Sequence, residues 1–269
     1  MTHFDPPAND NALPPEFSAD ELNAFERDGY LIVRGMVGTE LRDRMLAATM
    51  DGIRGEVPPL EYEADLHYPG APESLRAEGG KTIRRLKDAY RRHPAFAEWA
   101  NRPDLNARLK QLLGSDVYLP LAHHNCVMTK QPHFSSDTGW HQDIRYWSFA
   151  RPELVSVWLA LTSENVGNGC LQVIPGTHRM EFDRRRFDDD LFFRNDMSEN
   201  QALIATRKFV ELDPGDVLFF HCRTLHAATR NQSGATKVSV VFTFRPGDNP
   251  PISGSRSTSL PEIPMAIAR

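Results

Sequence analysis

Residues 139–147, GWHQDIRYW, set a histidine and an aspartate two positions apart inside an aromatic frame of Trp140, Tyr146 and Trp147. On an extended segment, side chains at i and i+2 leave on the same side. His141 and Asp143 would then converge on one spot. Such a pair serves equally as part of a metal site, as a histidine–carboxylate hydrogen bond or as a surface pair. A third ligand downstream has to decide.

The candidate stretch is residues 213–248, DPGDVLFFHCRTLHAATRNQSGATKVSVVFTFRPGD. Asp213-Pro214-Gly215-Asp216 has the residues of a turn that launches a strand, and residues 231–234, NQSG, those of a second turn. If that second turn is a four-residue hairpin loop, His226 lies opposite Ser239 and Ala228 opposite Lys237, because paired residues share a face. Along the last strand Val238, Val240, Phe242 and Phe244 alternate with Lys237, Ser239 and Thr243, so the polar set occupies one face. Two histidines and a carboxylate then gather beside a lysine. A buried ammonium needs an anion, since desolvating it alone is costly. Two histidines and one carboxylate on one side of a metal form the facial triad of non-haem Fe(II) oxygenases. The open positions can take a bidentate 2-oxo acid and O2, while Lys237 holds the acid's far carboxylate. Zinc hydrolases use similar ligands but have no evident use for the lysine and hydroxyl.

These residues carry a family resemblance. The chain resembles the phytanoyl-CoA dioxygenase family of Fe(II)/2-oxoglutarate oxygenases through ELNAFERDGYLIVRG, GWHQD, VSVWLALTSENVGNGCLQVIPGTH and PGDVLFFHCRTLHAATRN, in that order and up to about residue 245. The resemblance implies a double-stranded β-helix, or jelly-roll, core flanked by N-terminal helices. It implies iron held by His141, Asp143 and His226, and 2-oxoglutarate as cosubstrate. Its C5 carboxylate would be held by the basic residue eleven positions after the last histidine, here Lys237, with Ser239 beside it. Trp158, in VWLAL, matches a family position near the cosubstrate. Lys237 departs from the usual arginine and gives up the bidentate fork, and Ala228 stands where a hydroxyl residue is frequent. Asp143 is present where halogenating relatives carry a small residue, which favours hydroxylation.

Other residues compete for these roles. His221 is the rival third ligand. His123 and His124, being adjacent, are not both expected to face inward, and His178 is expected to stabilise a loop. Arg245 shares the parity of Lys237 and is the rival anchor. Arg84 and Arg85 sit where relatives place a basic residue, although a surface helix face accounts for them equally well. Arg85, Tyr146 and Trp147 are the candidate substrate contacts. Asn168-Gly169 reads as a hairpin turn.

The elements that must position these groups are legible as pattern. In FSADELNAFERDG, Ser18 and Glu21 make a capping box and Gly29 a stop, so a helix is expected, followed by a strand at YLIVRG and a second helix at GTELRDRMLAATMDGI. Residues 54–80, rich in Pro, Gly and Glu, are expected to form a long loop and a candidate lid. Helices return in HPAFAEWANRPDLNARLKQLLG. From Val117 the texture changes to short strands: VYLPLA, NCVMTK, ELVSVWLALT, CLQVIPG, VLFFHC and KVSVVFTFR. The expectation is a mainly β, α+β fold: a flexible arm at 1–16 and one domain at 17–269, with its jelly roll at about 117–246.

Composition excludes some partners. The 269 residues carry a formal net charge of −5, which provides no basic field for nucleic acid. Arg184, Arg185 and Arg186 are followed by Asp188, Asp189 and Asp190, a self-neutralising surface loop. Cys126, Cys170 and Cys222 are too few and scattered for a disulfide framework and are expected to be reduced, buried thiols. No apolar run reaches the length of a membrane span and no signal-peptide pattern opens the chain. The expected protein is a cytoplasmic monomer or homodimer that uses Fe(II), 2-oxoglutarate and O2 to oxidise an unactivated C–H bond of a small molecule, releasing succinate and CO2. Two alternatives remain: a cupin-like metalloenzyme that does not use 2-oxoglutarate, and a non-catalytic ligand-binding relative.

Overall fold

The computed structural model describes residues 15–265. The expected N-terminal arm lies outside them except for Pro15 and Glu16. The helices are α1 (Ala19–Asp28), α2 (Thr39–Arg54), α3 (Ala89–Arg92), α4 (Pro94–Ala100), α5 (Pro103–Leu113) and α6 (Ser198–Ile204). The N-terminal strands are β1 (Tyr30–Val33), β2 (Leu60–Tyr62) and β3 (Ile83–Lys87). Then come β4 (Val117–Pro120), β5 (Asn125–Lys130), β6 (Thr138–His141), β7 (Val155–Ala160), β8 (Leu171–Val173) and β9 (Lys208–Val210). The chain closes with β10 (Val217–His221), β11 (His226–Ala228), β12 (Lys237–Pro246) and β13 (Glu262–Pro264).

The larger sheet runs β1-β10-β7-β12-β5-β3-β2, with β4 and β13 attached beyond β12, and the smaller runs β6-β11-β8-β9. Every pairing is antiparallel. This is the expected jelly-roll sandwich. One face of the larger sheet packs on the helices: Val157, Leu159, Phe219, Val240, Phe242 and Phe244 join Phe25, Met45, Phe96, Trp99 and Leu109 in one core. The opposite face turns toward the smaller sheet and mixes Trp158, Leu218, Phe220 and Val241 with Leu171, Val173 and Ala228. Period-two alternation therefore gives β7, β10 and β12 two buried faces, and the polar exceptions of β7 and β12 fall on the inner one.

Local signals behave as expected at the start of the chain. Ser18 and Glu21 form the capping box of α1, and Gly29, at φ +78, ends it. A side chain there would strike the His178 ring. His178 Nε2 donates to the Glu26 carbonyl, 3.1 Å away, and so holds its own turn against the end of α1, in keeping with the loop-stabilising role expected of it. Four expectations are corrected. Leu60–Tyr62, within the supposed loop, pairs with β3. Arg84 and Arg85 lie on that strand rather than on a helix. Residues 226–245 are not a hairpin: β11 pairs with β6 and β8, whereas β12 pairs with β5, β7 and β4. The connection crosses between sheets and is held there by tertiary bonds. Asn231 donates to the carbonyls of Lys130 and Ala235 and its own N–H is accepted by Ser135 Oγ, while Arg230 grips Asp137. Likewise Asn168-Gly169 closes a turn that carries the chain from the larger sheet to the smaller.

Candidate metal centre and cosubstrate cavity

Strand β6 delivers His141, the 3-10 turn that follows delivers Asp143, and β11 delivers His226. The register sets His226 directly across from His141. The three ligand atoms lie within 4.8 Å of one another, and all three residues are buried among the described residues. Asp143 Oδ1 is 3.8 Å from His141 Nε2 and 3.5 Å from His226 Nε2. Each Nδ1 faces a backbone carbonyl: Gly139 O at 2.8 Å for His141 and Thr224 O at 3.0 Å for His226. Donation from Nδ1 puts the lone pair on Nε2, toward the shared point, as a ligating imidazole requires. Ser156 Oγ donates to Asp143 Oδ2 at 2.9 Å and is itself bonded to Thr243 Oγ1. That leaves Oδ1 toward the histidines. Burial would raise the Asp143 carboxyl, but His124, His226 and His141 outweigh it and hold it below the ordinary carboxylate range. Burial, with His226 and Arg145 nearby, keeps His141 neutral well below its usual value. The donor set fits a divalent metal.

His221, the rival ligand, ends β10 elsewhere, with its Nδ1 accepting the Arg223 N–H at 3.1 Å. Arg245, the rival anchor, is taken by Glu262 at 2.5 and 2.7 Å. His123 and His124 overturn the parity argument. They lie in a turn rather than a strand, and both line the cavity beside the metal centre. His124 Nδ1 is 3.5 Å from Asp143 Oδ2.

Two cavities meet at the triad. The larger, about 530 Å³, opens past His141, Asp143, Arg85, Tyr146 and Trp147, so the three candidate substrate contacts line one cavity. Leu66 and Tyr68, from the candidate lid, line it too. The smaller, about 50 Å³, runs inward between the sheets and is bounded by the triad, Trp158, Met128, Lys130, Thr138, Arg84 and Ala228.

The residues expected to hold the cosubstrate do converge, but on the chain's own carboxylate. Lys237 Nζ lies 3.0 Å from Glu164 Oε2, while Ser239 Oγ and Trp158 Nε1 donate to Oε1 at 2.6 and 2.7 Å. The Lys237 and Glu164 side chains are 3% and 0% exposed, so the pair is sealed. Glu164 was not among the sequence candidates. It sits in the non-periodic TSENVGNG turn, where nothing marks it as buried.

The model of the phytanoyl-CoA dioxygenase (PhyH) family matches residues 25–239. The chain belongs to the phytanoyl-CoA dioxygenase family. It is a dioxygenase of the Fe(II)/2-oxoglutarate-dependent class. A probable phytanoyl-CoA dioxygenase of Caenorhabditis elegans is 25% identical over 223 residues, covering 80% of this chain and 71% of the relative. The ectoine dioxygenase of Halomonas elongata is 25% identical over 251 residues, or 86% and 71%. Among solved structures, EctD from S. alaskensis with bound Fe superposes with a TM-score of 0.74 at 19% identity, covering 96% of this chain and 89% of that one. The α-ketoglutarate-dependent epimerase SnoN from nogalamycin biosynthesis gives 0.67 at 23%, covering 84% and 82%. These likenesses confirm the jelly-roll fold. Among the described residues no helix is long and apolar enough to cross a membrane, and all three cysteines are buried and unpaired.

Proposed function

We propose that the protein hydroxylates, or otherwise oxidises, an unactivated C–H bond of a small molecule that carries an anionic group, with succinate and CO2 as coproducts (class EC 1.14.11). The supporting observation is the pairing of two Nε2 atoms and one carboxylate oxygen around one point that opens into a 530 Å³ cavity. His141, Asp143 and His226 are the ligands. Bound Fe(II) supplies O2 activation and the redox chemistry for which the side chains of the cavity have no equivalent.

The chain's own residues orient and enclose. Gly139 O and Thr224 O fix the two imidazole tautomers, and Ser156 fixes the carboxylate rotamer. The inner cavity takes the 2-oxo acid, with its far carboxylate directed away from the triad, between the sheets. The outer cavity takes the substrate against Arg85, Tyr146 and Trp147. Arg145 and Arg256 also line it. Neither has a carboxylate partner among the described residues: Arg145 reaches only the carbonyls of Asp190 and Leu191. Arg145 is half-buried and Arg256 exposed, and guanidiniums without a carboxylate partner on a cavity wall favour a carboxylate or phosphate on the substrate. Residues 17–269 act as one domain in this reading, in a cytoplasmic monomer or homodimer.

Anaerobic metal titration followed by assay of succinate formed from 2-oxoglutarate tests the proposal. One Fe(II) per chain and Fe(II)-dependent succinate are expected. Metal binding without succinate, across carboxylated and phosphorylated candidate substrates, would refute it.

A further inference from the structure

Strand β12 sets Lys237 directly across from Lys130 of β5. Like charges opposite one another in a ladder repel, and both ammoniums are buried, so each calls for an anion. Only one has it. Lys237 is neutralised by Glu164 at 3.0 Å. Lys130, 7% exposed, donates to the Ser136 carbonyl at 2.7 Å and has no ion pair among the described residues. The two lysines also differ in what they face. Lys130 lines the inner cavity together with His141, Asp143 and His226, whereas Lys237 and Glu164 contribute nothing to its wall. Trp158 does, and the Lys237 ammonium sits 5.2 Å from the centroid of its ring. The guanidinium of Arg84, also on the cavity wall, is already committed to Glu63, Ser136 and Thr138.

We propose that Lys130, rather than Lys237, receives the distal carboxylate of the 2-oxo acid, and that Glu164 is a built-in carboxylate that takes Lys237 out of that role. The inference rests on the function proposed above. It explains why a chain with lysine in place of the usual arginine also places a glutamate, a hydroxyl and an indole N–H around that lysine: the cluster is a closed internal salt bridge. Burial, Arg84 and Lys237 together push the Lys130 amine well below its ordinary value. A carboxylate beside it is the partner that restores its charge.

The test is calorimetric titration of 2-oxoglutarate into the Mn(II)-loaded protein, which binds without turning over. Lys130→Met should weaken 2-oxoglutarate about 10- to 150-fold, the range for a charge-assisted hydrogen bond, with Mn(II) affinity unchanged. Because Lys130 has no ion pair to lose, this variant should melt no lower than wild type. Glu164→Gln should leave 2-oxoglutarate affinity as in wild type. Wild-type affinity in Lys130→Met overturns the inference while leaving the proposed function standing. If Lys130→Met does not fold, Glu164→Gln decides alone: tighter 2-oxoglutarate binding would show that Glu164 competes for the anchor and return the role to Lys237. A wild-type protein that binds Mn(II) but not 2-oxoglutarate would bring down the function and the inference together.

Discussion

Two buried carboxylates in the same sandwich have opposite fates. Asp143 is approached by three imidazoles, His124, His141 and His226, at 3.5 to 3.8 Å. Those distances are too long for hydrogen bonds, and the side facing the cavity stays open. Glu164 is held by an ammonium, a hydroxyl and an indole at 2.6 to 3.0 Å, and nothing further can reach it. The first cluster is organised around an incoming cation. The second has already neutralised itself. A reading from residue types alone treats both as functional; hydrogen-bond geometry separates them, because a satisfied group holds structure and an unsatisfied one is poised for a ligand.

The largest expected effect breaks the first cluster. Asp143→Ala removes the only carboxylate of the triad, and iron content and succinate formation should both be lost, as read by metal analysis and product assay. An iron-replete variant would mean that Asp143 and Glu164 are alike in being structural.

Lys237→Met strips the second cluster of its cation and leaves Glu164 buried and unpaired. Breaking such a pair costs about 3–5 kcal/mol, so denaturant unfolding should show a loss of that size. A loss below about 1 kcal/mol, typical of exposed pairs, would mean that the salt bridge is not sealed.

His221 sharpens the comparison, being a half-buried titratable group with no carboxylate beside it. Burial, then His178 and Arg223, lower it from 6.5 to about 3. As pH falls through 6.5 the unfolded chain takes up this proton and the folded one does not, so stability should decline between pH 6.5 and about 3 and level off below. At about 1.4 kcal/mol per unit of pKa separation, the loss amounts to a few kcal/mol. His221→Asn should show a shallower acid limb in unfolding experiments; an identical limb would place the acid sensitivity elsewhere.

Ser156→Ala is the mildest change, because it removes only the hydroxyl that fixes Asp143. Outer-shell partners of this kind are worth about 10- to 100-fold in metal affinity, and metal titration should show a weakening within that range.

Much of the fold is written locally. The capping box of α1 and the alternation in β7, β10 and β12 follow from short-range rules, and the triad follows from residue type plus one spacing. What was not legible depends on which sheet a strand joins. The turn at 229–236 has hairpin composition, yet Asn231 and Arg230 bind residues about 100 positions away and send β12 to the other sheet. His226 and Ser239 are therefore not cross-strand partners, although both point inward as expected. His124 and Glu164 were missed because turns have no period to read. Lys130 could have been found: in NCVMTK it shares a face with Cys126 and Met128, opposite Val127.

The central claim, that His141, Asp143 and His226 form one metal centre serving 2-oxoglutarate oxidation, is tested most directly by comparing His226→Ala with His221→Ala. Fe(II) binding and 2-oxoglutarate-dependent succinate release should be measured on both under identical conditions. The structure predicts that His226→Ala loses both, whereas His221→Ala keeps both and loses only stability. Retained iron and succinate in His226→Ala, with loss of both in His221→Ala, would contradict it.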